Sequence, residues 1–322
     1  MITRRGVMAG LAGVAATRPA WAQSFPSRTL TIIVPYPAGG PVDVVARLLA
    51  PAMANDLGQT IAVDNRGGGA GAIGTLAAAR AEPDGHTLVL GTNQTHATNQ
   101  SLIKNIQYDG VKDFAPVAGI AGIPHMLVTK KGLAAANVRD LVALAKAQPG
   151  KLSYGSTGNG SASHLAAELF KTRSGTDIVH IPFRGAAPMT TELLAGRLDL
   201  AFATLPSVIS QIESRELHAL AVASAKRAAR LPDVPTLAEA GVTGVEADAW
   251  FALFAPAKTP QPAIDRLYKS ATAALSQPAV ATAFAAQGMT VAVRQPPEIA
   301  AWLPGEVEKW AAVIKAANVT VD

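Results

Sequence analysis

Short β-branched apolar runs alternate along this chain with stretches whose apolar residues recur at helical spacing. The first run, Leu30–Val34, predicts a strand. After the turn YPAGGP a helix is predicted from Pro41, a residue favoured at the first helical position, with Asp43 in the first turn at the positive end of the dipole. Val45, Leu48, Leu49, Ala52 and Met53 mark its buried face, and Pro51 is expected to kink it. A second strand over 60–64 leads into NRGGGAGAIG and an alanine-rich helix. A third over 86–91 ends in TNQTHATNQ at 92–100, read from its polarity as a loop. Strands joined by helices through short connections imply parallel pairing with helices on both faces.

A second run follows the Gly- and Pro-containing segment 119–124, which reads as the break between the two. Its strands are expected over 126–129, 152–155, 177–181 and 198–203. Its helices are expected over 138–148 after Asn137, over 164–172 after STGNGSAS, and over 187–195 before Gly196. DAWFALFAP at 248–256 has no loop chemistry and suits a strand returning to the first unit. Two helical patterns follow, over 262–276 and over 297–317, the latter with Pro304 as an internal break. The class is α/β in two lobes: 24–122 with 252–322 as the first, and 123–251 as the second. Crossings near 119–126 and 248–256 should act as hinges around a cleft, and ligands of open α/β sheets bind beyond the carboxyl ends of the strands.

Composition narrows this further. At 49% hydrophobic and 16% charged, the chain is neither disordered nor a coiled coil. The net charge of +5 owes much to residues 1–22, MITRRGVMAGLAGVAATRPAWA, which read as a secretory signal peptide cleaved near Ala22. Thr3, Arg4 and Arg5 fit the twin-arginine route, and the general route stays open. Cleavage leaves 25 basic against 23 acidic residues, a balance that does not suit nucleic-acid binding. The absence of cysteine excludes disulfides, thiolate catalysis, cysteine metal sites and a lipid-anchoring cysteine. A released, exported protein is expected.

Candidate chemistry concentrates in the glycine- and hydroxyl-rich turns. Gly69-Ala70-Gly71-Ala72-Ile73-Gly74 matches the dinucleotide fingerprint, but the acidic residue expected after the next strand is missing, and close helix–strand packing explains the glycines as well. Tyr36-Pro37-Ala38-Gly39-Gly40 and Ser156-Thr157-Gly158-Asn159-Gly160-Ser161 each precede a helix, where converging amides favour an anion. Neither carries the Lys-Ser/Thr of a polyphosphate loop, so a small carboxylate fits better. Its charge should rest on neutral donors: the amides of residues 38–40 and 158–161, and the hydroxyls of Ser156, Thr157 and Ser161. Ser161 and His164 could also form a hydrolytic pair, though no nucleophile elbow and no orienting acid accompany them. The six histidines show no metal-ligand spacing. Arg184 could meet a ligand carboxylate, and Asp199, at the start of a strand, could hold loop amides or a ligand amine.

VPYPAGGPVDVVAR, VDNRGGGAGAIG, YGSTGNGSASHLAAELF, HIPFRGAAP, GRLDLAF, LPDVPTLAEAG and FAPAKTP occur in this order across the mature chain. In these motifs it resembles the periplasmic substrate-binding proteins of tripartite tricarboxylate transporters, the Bug family. The resemblance implies a type II-like periplasmic binding protein, two mixed sheets flanked by helices, that traps a small carboxylate between its lobes. It implies no cofactor, no metal and no turnover. The ligand would meet Tyr36, Pro37, Ala38, Gly39, Gly40 and Asp43, then Thr92 and Asn93, from one lobe. From the other it would meet Ser156, Thr157, Gly158, Gly160, Ser161 and His164, then Pro182, Phe183, Arg184 and Gly185, and Asp199 and Thr204. Implied partners of this monomer are the membrane components of a tripartite transporter, or a sensor kinase. Gly67 stands where the family usually has proline and Arg184 where lysine is common, which leaves the preferred distal group open.

Overall fold

In the computed structural model, which describes residues 25–321, the first predicted run forms β1 (Leu30–Val34) and the next α1 (Pro41–Leu57). Proline at the first position lacks only an amide that has no partner there, and Gly58 at φ 67 ends the helix by returning its N–H to Ala54 O. Next come β2 (Ile61–Asn65), a single 3₁₀ turn (Gly69–Gly71), α2 (Ala72–Ala79) and β3 (Thr87–Thr92). The signal peptide read at 1–22 lies outside the described residues.

The expected loop at 92–100 is instead a π-helical turn (Gln94–Thr98) running into α3 (Asn99–Leu102). Thr95, His96 and Asn99 are fully buried there. Most of their polar groups are met internally, His96 Nε2 and Asn99 Oδ1 excepted: the Tyr108 hydroxyl donates to Thr95 O at 2.7 Å, and Asn99 Nδ2 donates to Ala70 O at 3.0 Å. Polarity therefore marked an internal network, not exposure. The expected break at 119–124 is likewise a strand, β4 (Phe114–Ile123). Gly119 is glycine because a Cβ there would lie 2.7 Å from Ala292 O on the neighbouring strand.

The second unit comprises β5 (His125–Lys130), α4 (Val138–Ala147), β6 (Ser153–Ser156), α5 (Ala162–Ser174), β7 (Val179–Pro182), α6 (Ala186–Leu194) and β8 (Leu200–Thr204). The Asn137 side chain caps α4 by accepting from Asp140 N. Two unpredicted elements close it, α7 (Leu205–Glu213) and β9 (Leu217–Val222). The chain then returns through β10 (Ala249–Pro256), as read, and continues as α8 (Gln261–Leu275), α9 (Pro278–Ala286), β11 (Thr290–Arg294) and α10 (Pro296–Ala316). α9 and β11 were also unpredicted.

Both sheets are mixed. The first has the order β11-β4-β10-β3-β1-β2, with β1 parallel to β2 and β3 and with β10 antiparallel to β3 and β4. The second has the order β7-β6-β8-β5-β9, with β6 parallel to β7 and β8 and with β5 antiparallel to β8 and β9. Ile32, Leu49, Leu90, Leu253, Leu267 and Phe284 anchor the first core; Leu127, Tyr154, Phe170 and Phe202 anchor the second. α10 is shared between them. Its Ile299 and Leu303 pack with Phe114 and Phe254 of the first sheet, whereas Trp310, Val313 and Ile314 join Leu165 and Phe170 in the second core.

Candidate functional site

Parallel strands bring their carboxyl ends to one edge of each sheet, and there β1, β6, β7 and β8 each hand over to a helix: α1, α5, α6 and α7. In the first loop the Tyr36 hydroxyl lies 3.0 Å from Thr92 Oγ1 and donates to Gln94 Oε1 at 3.1 Å, tying the loop to the end of β3. Burial pushes this phenol far above its ordinary range. Pro37, Ala38 and Gly39 are exposed.

The Gly39 amide is not open to a ligand. It donates to Asp43 Oδ2 at 2.9 Å. Asp43 is 3% exposed and also accepts from Arg47 Nε at 2.9 Å and from Asn65 Nδ2 at 3.0 Å. The Arg47 bond, ahead of the other effects, brings its carboxyl down to about 2 although burial opposes this. Asp43 is thus the ionised clamp of the loop, and the expected ligand contact at Gly39 N–H is corrected. Gly39 is required by its φ of 84, since a Cβ there would meet nothing within 4 Å. Among the described residues, the amides of Ala38 and Gly40 have no partner.

The fingerprint glycines serve packing. A Cβ at Gly71 would lie 2.7 Å from Thr95 Cγ2, and one at Gly74 would lie 2.5 Å from Arg66 O. Gly67, the departure from the family pattern, lies beneath the first loop, where a Cβ would be 3.1 Å from Pro37 Cδ. Thr92 is buried and bonded to Thr95. Asn93 is buried at the start of the π turn, and its side chain has no hydrogen-bond partner among the described residues.

In the second sheet the loop 156–161 is internally bonded. Ser156 Oγ accepts from Gly158 N at 3.2 Å and lies 2.6 Å from His180 Nε2. Thr157 N donates to Ser163 Oγ at 2.9 Å, Gly160 N to His164 Nδ1 at 3.0 Å, and Ser161 N to Gly158 O at 3.2 Å. Most of the amides expected to face a ligand are therefore engaged. Those without a partner among the described residues are Asn159, Ala162 and Ser163. Ser161 is the N-cap, accepting from His164 N at 3.3 Å, so Ala162 and Ser163 occupy the first helical positions, whose amides have no partner within a helix. That cap was the signal that could have located them. The loop closes against the helix following β3: a Cβ at Gly160 would lie 3.0 Å from Leu102 Cδ1.

His164 uses Nδ1 as an acceptor, so its neutral ring carries the proton on Nε2. Burial, then the neighbouring His180 and Lys171, lower it to about 3. Ser161 Oγ contacts Ser163 Oγ at 3.0 Å and the His164 backbone, not the imidazole. The hydrolytic pairing fails on this geometry.

Pro182 and Arg184 are exposed at the end of β7, and Gly185 at φ 112 caps α6. Phe183 N donates to Ser156 O at 3.0 Å, and Arg184 has no ion-pair partner among the described residues. Thr204 is the N-cap of α7, with Oγ1 donating to Ser207 Oγ at 3.2 Å. Asp199 is elsewhere. It precedes β8 at the amino edge of the sheet, accepting from Ser153 N at 2.8 Å and pairing with Lys130 Nζ at 2.7 Å. Five residue steps along β8 separate it from Thr204, roughly 16 Å at 3.3 Å per residue. Its place in the site is corrected.

Two mixed α/β sheets with helix N-termini and hydroxyls gathered at their carboxyl edges define a two-lobed solute-binding protein. Its receptor family can be named: residues 45–319 match the tripartite tricarboxylate transporter family receptor, TctC, and the chain belongs to that family. It is 38% identical to the protein BugT of Bordetella pertussis, over 96% of this chain and 95% of that one. It is similar in structure to an R. palustris protein with adipate (TM-score 0.77, 36% identity, 92% of this chain and 100% of that one). It is also similar to MatC from Rhodopseudomonas palustris with bound malate (TM-score 0.74, 32% identity, 90% and 100%). The family is one of receptors, not enzymes. Among the described residues no helix is long and apolar enough to cross a membrane, and no group of three potential metal ligands occurs.

Proposed function

We propose that this receptor captures a small organic carboxylate between the carboxyl edges of its two sheets. The observation that carries this reading is the start of α5, where the amides of Asn159, Ala162 and Ser163 have no partner among the described residues and lie near the hydroxyls of Thr157, Ser161 and Ser163. Neutral donors held by a loop can complement a carboxylate, each hydrogen bond to the charge being worth about 1.5–3 kcal/mol. Ala38 and Gly40 amides, the Asn93 side chain and His164 Nε2–H would supply the remaining donors, with the loop 182–185 and Thr204 as walls. Arg184 would select among distal groups without being the main anchor. Adipate and malate on the two similar proteins make dicarboxylates the first ligands to test.

The lobes are proposed to be 24–122 with 252–322, and 123–251, with the end of α10 docked on the second. Export, cleavage near Ala22, a monomeric state in the periplasm, and delivery to transporter membrane components or a sensor kinase complete the reading. Calorimetric titration tests it: malate or adipate should bind at one per chain, and the corresponding diamides should give no heat. Equal binding of acid and diamide would refute a carboxylate site.

A further inference from the structure

Two imidazoles lie stacked beneath the loop 156–161, and between them they hold both of its ends. His180, from β7, has Nε2 at 2.6 Å from Ser156 Oγ, the group that also accepts from Gly158 N. His164, from α5, accepts from Gly160 N through Nδ1. Their ring centroids are 3.8 Å apart with an interplanar angle of 13°, and Tyr154 lies beside the pair, its ring centroid 4.9 Å from that of His180 and 6.3 Å from that of His164. Tyr154 is itself fixed, its hydroxyl donating to Glu168 Oε1 at 2.5 Å, and Lys171 pairs with the same carboxylate at 2.7 Å. Through this stack the contact that holds Ser156 and the contact that holds Gly160 are joined.

We propose that His180 is a positioning residue for ligand capture, holding the 156–160 backbone through Ser156 and through its stack on His164 so that the Asn159 amide stays presented. The inference rests on the carboxylate reading of this loop and assigns a role to a side chain that need not touch the ligand. Two of the loop's four held amides, Gly158 and Gly160, depend on this stack; Thr157, held by Ser163, and Ser161, held by Gly158 O, do not. Loss of the His180 ring removes the Ser156 contact directly and leaves His164 without its stacking face.

The test compares the parent, His180→Ala and His180→Gln by malate titration and by residue-resolved amide hydrogen exchange without ligand. His180→Ala should weaken malate binding about tenfold, the value of one hydrogen bond of ordinary strength. It should also speed exchange at Gly158 and Gly160 about tenfold while the strand amides of β6 and β8 keep the parent's protection. His180→Gln retains an N–H within reach of Ser156 and should recover most of both. Parental malate affinity in His180→Ala, or faster exchange spread evenly over the second sheet, would overturn the proposal. A parent that fails to bind malate and adipate would sink the carboxylate reading, while the exchange data would still decide whether His180 positions the loop. Should His180→Ala not fold, the His180→Gln and parent exchange profiles decide it: an unchanged His180→Gln with loop amides as labile as exposed coil in both proteins would also refute it.

Discussion

Acidification should destabilise this receptor through histidines held neutral in its interior, and His96 offers the sharpest measurement. His96 is fully buried on the π turn, stacked on Phe254 at 4.0 Å and tilted against Phe114 at 4.6 Å. Nδ1 meets Thr95 Oγ1 at 2.9 Å, and Nε2 has no partner among the described residues. Burial lowers its pKa from 6.5 to about 3. The sign follows from proton uptake. Below pH 6.5 the unfolded chain binds a proton at this residue and the native chain does not, so native stability is full above that pH and declines as pH falls toward 3. At pH 5 the contribution is a loss of about 2 kcal/mol, with a limiting slope of about 1.4 kcal/mol per pH unit. His125 and His164, lowered to about 4 and about 3 by burial, act in the same direction. Asp248, raised by burial to about 6, opposes them by taking a native-state proton first. Replacing His96 with leucine, of similar size and unable to titrate, should flatten the pH dependence by that one proton whatever it does to absolute stability. Denaturant unfolding of parent and His96→Leu at intervals from pH 8 to pH 5 gives the two slopes. Parallel curves would refute the reasoning, because they would mean that His96 binds its proton equally in both states.

Three further substitutions probe the loops. Asp43→Ala leaves the Gly39 amide without its acceptor and Asn65 Nδ2 with Tyr36 O alone, and should cost about 1–3 kcal/mol of stability with weaker malate capture, read by thermal unfolding and titration. Gly160→Val places a side chain at φ 70 against Val321 at 2.8 Å and Leu102 at 3.0 Å, and should destabilise more than Gly39→Val, which meets open space and carries only the backbone strain of about 1–3 kcal/mol; equal unfolding midpoints would contradict this.

The elements that sequence reading located are those with local signals. α1 begins at its proline, α4 at Asn137, α5 at Ser161, and β10 at a run of apolar residues too long for a loop. The polar stretch 92–100 failed because its hydroxyls and amides bond to one another and to Tyr108, a tertiary fact that composition does not carry. α7 and β9 were legible in principle, since Leu205 and Val208 recur at helical spacing and β9 is a short apolar strand. In the two loops of the proposed site, several amides expected as donors are instead bonded within the protein. Which amide faces outward depends on side chains such as Asp43, Ser163 and His164 that turn back on the loop. Asp199 was avoidable: a residue before a parallel strand lies at the edge opposite the one after it.

The internal bonding of the two loops bears on how the neutral site proposed above would hold a carboxylate. A flexible glycine loop would have to be ordered on binding, and that cost would offset much of what its amides contribute. Here the ordering is already supplied by protein groups: Asp43 fixes Gly39, Ser163 fixes Thr157, and the imidazole stack fixes Ser156 and Gly160. The amides left over are few, but they sit at the N-termini of α1 and α5, where the helix dipole adds to each donor. Fixed dipoles need not be desolvated as a lysine would, and they do not reorient when the ligand leaves. In the proposed site, the same engagement of most loop amides would suit the remaining ones to a receptor that must both capture and release a carboxylate.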